Sequence, residues 1–309
     1  MIRAAVRGVG MALPKCVVTN DDLPAHLETS DEWIMQRTGI RQRYVLREGE
    51  TTNGLALASA QDALARAGVS GNEVDLTLVA TISSTDRWPG ASVFVQDGVG
   101  ASGIAYDLSA ACAGFVYALD QAAACIETRR ATTALVVGAD SLTTQVDWND
   151  RATCVLFGDG AGAVVLQASE AGDGVLESVL LSDGSGAKHL GMFGDSIKMN
   201  GREVFKFAVK AMGDACLRVL EKAGLQPEDV DLFVPHQANV RIIDAAAERL
   251  NLPPEKVFVN VEKYGNTSGA SIPIALAEAE RTGKLKPGML VLTVGFGGGL
   301  VWGANLIRW

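Results

Sequence analysis

The sequence predicts an α/β protein built from two similar halves, and three observations carry that prediction. The first is composition. The 309 residues are 48% hydrophobic and only 6% aromatic, with 34 glycines, which suits a sizeable core of strands and helices joined by tight turns. The second is a repeat. "DALARAGVSGNEVDLTLVAT" begins at 62 and "RVLEKAGLQPEDVDLFVPHQ" at 218, an offset of 156 residues. Leu64/Leu220, Ala67/Ala223, Gly68/Gly224, Val74/Val230, Asp75/Asp231 and Leu76/Leu232 coincide. Each copy reads as a helix closed by glycine, a turn and a buried strand. The third is that "CVLFGDGAGAVVLQA" (154–168) and "VLTVGFGGGLVWGANLI" (291–307) both read strand, glycine turn, strand. The halves are expected at 1–168 and 169–309, with extra residues around 139–153 in the first and no linker between them.

The opening stretch, "MIRAAVRGVGMALPKC", has no secretory pattern, and no run of the chain is long and apolar enough to span a bilayer. The five cysteines are odd in number and show no C-x-x-C. With only three histidines beside them, neither a disulfide scaffold nor a metal site is expected. A net charge of −9 argues against nucleic acid as a partner. The expectation is a reduced, cytoplasmic protein without a metal.

Along the chain, "TSDEWIMQR" starts a helix, with Thr29, Ser30 and Asp31 as start signals and Glu32 completing a capping-box pattern from Thr29. Trp33 and Arg37 share one face of that helix. An indole there can stack on adenine and a guanidinium can pair with phosphate; a plain surface aromatic–cation pair fits equally well. In "DLSAACAGFVYAL", Cys112 stands where a strand pattern gives way to a helix pattern, among residues small enough to admit a carbonyl. The free N–H groups of a helix start favour thiolate, although a lone cysteine more often serves as a small hydrophobe.

The offset of 156 carries Cys112 to Ser268, inside "KYGNTSGASIPIALAEA", another strand-to-helix junction. His236 ends the apolar strand "VDLFVP" ahead of the amphipathic "QANVRIIDAAAERL". Open α/β sheets place their active sites at such strand ends, though a histidine can equally satisfy a local cap. Asn266, in "YGNTSGAS", reads alone as a turn asparagine. "GFGGG" (295–299) is followed by strand-like residues and not by a helix, so it reads as a hairpin turn and not as a dinucleotide loop.

Taken together, "SAACAG", "PHQANVR", "GNTSGAS" and the terminal "GFGGGLVWG", in this order, resemble the β-ketoacyl-acyl carrier protein synthase III family of the thiolase superfamily. The resemblance runs from "SDEWIMQRTGIRQRY" to "VWGANLIRW". It implies a thiolase-like five-layer α-β-α-β-α sandwich built from two similar halves, usually a homodimer. It implies decarboxylative Claisen condensation of a short acyl-CoA, acetyl-CoA first among them, with malonyl-acyl carrier protein, a reaction that initiates fatty-acid synthesis. No cofactor is implied beyond the coenzyme A thioester used as substrate.

By match, Cys112 is the nucleophile, its N–H and that of Gly298 form an oxyanion hole, and His236 and Asn266 stabilise the enolate left by decarboxylation. Trp33, Arg37 and Arg151 would hold the nucleotide end of coenzyme A, and Phe205, Ala208 and Asn239 the pantetheine tunnel. Gln237, Arg241, Lys206 and Lys210 would dock the acidic carrier; Arg202, Lys206 and Lys210 recur every four residues, with Arg218 and Lys222 continuing the stripe. Trp88 matches a position that reaches across the dimer and closes the acyl pocket. The same three catalytic residues occur in relatives that condense acyl-CoAs in secondary metabolism, which is the alternative function. A non-catalytic binder would be expected to lack part of the set.

Overall fold

The computed structural model describes residues 2–309. Its strands are β1 (Arg3–Ala12), β2 (Cys16–Thr19), β3 (Gln42–Val45), β4 (Leu76–Ala80), β5 (Ile104–Leu108), β6 (Thr133–Ser141), β7 (Asp159–Ser169), β8 (Gly174–Ser182), β9 (Leu190–Phe193), β10 (Ser196–Met199), β11 (Leu232–Pro235), β12 (Leu290–Gly297) and β13 (Val301–Arg308). Its helices are α1 (Asp31–Thr38), α2 (Thr52–Ala67), α3 (Ala91–Val99), α4 (Gly114–Glu127), α5 (Arg151–Cys154), α6 (Gly201–Ala223), α7 (Val240–Arg249), α8 (Val261–Tyr264) and α9 (Ser271–Arg281).

Two mixed sheets carry the repeat. The first runs β1-β7-β6-β4-β5 and the second β11-β12-β13-β8. In each, a parallel pairing (β4 with β6, β11 with β12) leads into two antiparallel ones (β6-β7-β1, β12-β13-β8), and the first sheet adds a second parallel pairing, β4 with β5. The counterpart of β5 in the second half shrinks to a single bridge, Phe233 to Val257. The first sheet's last strand stops at Ser169 and the second sheet's first begins at Gly174. As the sequence suggested, α2 and α6 both end on a left-handed glycine, Gly68 (φ 65°) and Gly224 (φ 69°).

The layers follow from which faces are apolar. α4 and α9 lie between the sheets, and α9 ("SIPIALAEAER") is buried on nearly every side, as a helix covered on both faces must be. Leu76, Leu78, Val136, Leu232, Val234 and Val291 pack against this central pair. α2 and α3 cover the outer face of the first sheet, and α6 and α7 that of the second. The result is five layers, α-β-α-β-α. Strands β6 and β12 are buried along their whole length, and most of their residues are apolar.

Two local expectations are corrected. Helix α1 is capped by Ser30, whose Oγ accepts from the Trp33 N–H at 3.1 Å, while Thr29 Oγ1 is buried with no partner among the described residues. The helix starts one residue later than the capping-box pattern requires, so Glu32 cannot reach back to Thr29. The repeat also slips by one at the turn that carries Cys112. The 3₁₀ turns before α4 and α9 are Ala111–Ala113 and Ser268–Ala270, so Ser268 pairs with Ala111 and Gly269 stands opposite Cys112. Ala111 (φ 45°) and Ser268 (φ 52°) are both left-handed, which marks the same strained bend twice.

The extra residues of the first half form the turn Leu142–Thr144 and α5. The corresponding β12–β13 connection is a three-residue hairpin at 298–300, as "GFGGG" predicts. Among the described residues, no helix is long and apolar enough to cross a membrane.

Candidate active site

A cavity of about 760 Å³ opens where the C-terminal ends of β4, β11 and β12 meet the two turns, and Cys112, His236, Asn266 and Gly298 all line it. Cys112 is 7% exposed, two residues ahead of α4. Burial pushes its thiol up to about 12; the Ser268 hydroxyl and the residue's own N–H act against this, while Asp140 adds to it. The ligand-free cysteine is therefore a protonated thiol, despite its place near a helix start.

His236 is the residue after β11, and its N–H is tied to Val294 O on β12 at 2.8 Å. Nδ1 lies 2.6 Å from Ser271 Oγ. Burial pushes the imidazole down to about 3, so it is neutral at any ordinary working pH. Asn266 belongs to the second half by sequence but is stitched to the first: its N–H donates to Leu156 O at 2.8 Å and its carbonyl accepts from Gly158 N–H at 3.0 Å. Its Oδ1 accepts from the Ser268 N–H at 2.9 Å. The acceptor end of the amide is thereby occupied, which leaves the NH₂ end as the donor for the cavity.

Beneath this loop lies Asp140, fully buried at the end of β6. It accepts from Ile82 N–H (2.9 Å), Ser83 Oγ (2.8 Å), Thr81 Oγ1 (3.2 Å) and, across the halves, Gly269 N–H (3.0 Å). Burial raises its pKa and these donors lower it. Four donors to one buried carboxylate make it an anchor that fixes the Ser268–Ala270 turn against the Cys112 turn.

The expected coenzyme A residues mostly converge on the same cavity. Trp33, Arg37, Arg151, Phe205 and Asn239 line it. The guanidinium groups of Arg37 and Arg151 stand 5.3 and 5.1 Å from the Trp33 ring, and Arg151 also donates to Glu28 O at 2.9 Å. Asn239 caps α7 by accepting from Arg241 N–H at 2.9 Å, and donates to Arg37 O at 3.0 Å. Ala208 does not reach the cavity. It is packed into the core of the second half, and Val204, one turn earlier on α6, takes the lining place. A methyl group is too short to span the difference.

Of the expected docking residues, Lys206, Lys210 and Arg241 are exposed, with Arg241 5.4 Å from the Phe205 ring at the cavity wall. Gln237 is 1% exposed and cannot meet a partner. Its Nε2 donates to Pro235 O and Phe258 O, and its Oε1 accepts from the N–H groups of Asn260 and Val261. Every polar atom of the side chain is used inside the fold. Trp88 is 85% exposed and lines no part of this chain's cavity.

Sequence reasoning missed the apolar end of the cavity. Leu142, Phe157 and Ile197 form a small buried cluster along its wall. They come from three separate segments, so no local pattern marks them. It also passed over Ser271, although that serine lies within the "GNTSGAS" motif.

Residues 106–184 match the family model described as 3-oxoacyl-[acyl-carrier-protein (ACP)] synthase III, and residues 220–309 match that of its C-terminal part. The chain is 52% identical over 309 residues to β-ketoacyl-[acyl-carrier-protein] synthase III 1 of Bacillus cereus, covering 100% of this chain and 99% of the relative. The crystal structure of 3-oxoacyl-[acyl-carrier-protein] synthase III from Aquifex aeolicus superposes with a TM-score of 0.96 at 50% identity, over 99% of this chain and 100% of that one. The priming β-ketosynthase of the R1128 polyketide pathway is more distant, at 37% identity and a TM-score of 0.93 over 98% of this chain and 96% of that one. Sequence identity and fold agree along the whole chain, and the family models match within it: the chain belongs to the β-ketoacyl-[acyl-carrier-protein] synthase III family.

Proposed function

We propose that the chain condenses a short acyl group, taken from an acyl-CoA such as acetyl-CoA, with malonyl-acyl carrier protein to give a 3-oxoacyl-acyl carrier protein, the step that starts a fatty-acid chain. The observation that carries this reading is the convergence of Cys112, His236 and Asn266 on one cavity lined at its wall by Trp33, Arg37 and Arg151.

The Cys112 sulfur attacks the thioester carbonyl, its proton goes to the departing coenzyme A thiolate, and the acyl group stays on sulfur. The N–H groups of Cys112 and Gly298 receive the oxyanion. The malonyl thioester then loses carbon dioxide, and the electron pair of the broken bond becomes an enolate. A neutral imidazole N–H and an amide N–H can stabilise its oxygen without handing a proton to the carbanion. The enolate carbon attacks the acyl-Cys112 carbonyl, and the cysteine leaves as a thiolate that takes a proton from water to restore the thiol. Coenzyme A and the carrier's pantetheine would enter past Phe205 and Asn239, and the acidic carrier would rest on Lys206, Lys210 and Arg241.

The chain would work in the cytoplasm as a homodimer. Strand β5 is an open sheet edge, and Ile104, Tyr106 and Phe94 form exposed apolar surface on β5 and the neighbouring α3. Trp88, exposed in one chain, would cross this contact to close the partner's acyl pocket and restrict the donor to short chains. The alternative, a condensing enzyme of secondary metabolism, has its nearest support in the 37% identity to the R1128 enzyme. The 52% identity over the full length to the Bacillus cereus protein favours the first reading. Incubation with acetyl-CoA and malonyl-acyl carrier protein should yield the 3-oxobutanoyl carrier by mass, with release of carbon dioxide. Turnover with a non-carrier extender alone would favour the alternative.

A further inference from the structure

Ser271 opens α9, five positions after Asn266, and is buried. Its Oγ meets two groups, Nδ1 of His236 at 2.6 Å and the backbone nitrogen of Gln237 at 3.3 Å. A backbone N–H can only donate, so toward Gln237 the serine oxygen accepts. The hydroxyl hydrogen then has one acceptor in reach among the described residues, and that is His236 Nδ1.

We infer that Ser271 is a positioning residue that holds neutral His236 in the tautomer with its hydrogen on Nε2. A hydroxyl pointed at Nδ1 stabilises the lone pair there, and the one ring hydrogen must sit on the nitrogen that faces the cavity. That is the form the reaction requires. With the hydrogen on Nδ1, Nε2 would present a lone pair to the enolate oxygen and repel it. Asn266 is treated the same way, since the Ser268 N–H occupies its Oδ1 and turns its NH₂ outward. The short segment 266–271 thus sets the polarity of both donors at once.

The functional half of this inference rests on His236 acting as a donor to the enolate; the tautomer itself does not. The test therefore reads both. The protein has only three histidines, His26, His189 and His236, so ¹⁵N-histidine labelling and long-range ¹H–¹⁵N correlation resolve each ring. The wild-type spectrum is expected to show His236 with hydrogen on Nε2 and a bare Nδ1. Ser271→Ala should give mixed tautomers and lower kcat for malonyl decarboxylation by roughly 10-fold or more, with little change in KM. Acylation of Cys112 by acetyl-CoA should persist, and Ser271→Thr, which keeps the hydroxyl, should restore both signals. A wild-type His236 carrying its hydrogen on Nδ1 would overturn the inference. So would Ser271→Ala with the wild-type tautomer and wild-type decarboxylation. If His236→Ala decarboxylates normally, the donor role fails, while the wild-type spectrum still decides what Ser271 does.

Discussion

The last residue of β12 meets the nucleophile turn as bare backbone: a Cβ at Gly297 would stand 2.5 Å from the backbone nitrogen of Cys112. Gly295, two residues earlier on the same face, would bring a Cβ to 3.1 Å from Ala113 Cα. The glycine run therefore does more than turn a hairpin. It lets the second half press against the turn that carries the thiol. Gly297→Ala should push Cys112 away from Gly298, lowering stability by about 1–3 kcal/mol and acylation by roughly 10-fold or more. Thermal unfolding and the rate of acetyl-Cys112 formation check this. Unchanged values of both would show that the close approach carries no function.

His236→Ala and Asn266→Ala should separate the two half-reactions. In the proposed mechanism neither side chain is needed for sulfur to attack the acyl-CoA, and both serve the enolate; both line the cavity. Each variant should acylate Cys112 at a rate close to wild type and lose malonyl decarboxylation by on the order of 10²-fold. Release of labelled carbon dioxide, measured beside the acyl-enzyme mass, distinguishes the steps. Wild-type release by either variant removes that residue from the enolate site.

Burial of His236 sets an acid limit on stability. Its folded pKa, about 3, lies below the ordinary histidine value of 6.5. Between those values the unfolded chain takes up a proton that the folded one refuses, so stability is full above about pH 6.5 and falls with pH toward 3. The slope from this one group is about 1.4 kcal/mol per pH unit. Asp159 acts in the opposite sense, because burial raises it to about 6, so its penalty is relieved on acidification. A comparison with His236→Ala isolates the histidine. The wild-type advantage in urea unfolding should shrink by about 2 kcal/mol between about pH 7 and about pH 5. A constant difference would mean that the ring is not held neutral.

Charge reversal at Lys206 and Arg241 should raise KM for malonyl-acyl carrier protein and flatten its dependence on salt. Both side chains are exposed, on α6 and α7 respectively, beside a cavity wall that includes Phe205. Acylation by free acetyl-CoA should be affected less by Lys206→Glu. Equal losses with carrier-bound and free substrates would point to general damage.

What the sequence made legible follows from how local each signal is. Gly68 and Gly224 close their helices through their own backbone angles, so the repeat could be read from neighbouring residues alone. The junctions at Cys112, His236 and Asn266 were visible for the same reason, because strand and helix patterns change at those points. Gln237 was given to docking by the resemblance alone, whereas its partners are backbone groups of Pro235, Phe258, Asn260 and Val261. Three of those four are more than twenty positions away. Ala208 was misplaced by about one helical turn: Val204 lines the cavity, while Ala208 packs into the core. The one-residue slip between Cys112 and Ser268 has a similar cause: the repeat was measured on α2 and α6, and the turns before α4 and α9 do not keep that spacing.

The account depends most on Cys112 carrying the acyl group. The decisive measurement is the intact mass of the protein after incubation with acetyl-CoA, followed by peptide mapping and a chase with malonyl-acyl carrier protein. One acetyl group per chain is expected, located on Cys112, absent from Cys112→Ala and lost during the chase as the 3-oxoacyl carrier appears. Acetyl on another of the five cysteines, or an adduct on Cys112 that the chase leaves in place, would contradict it.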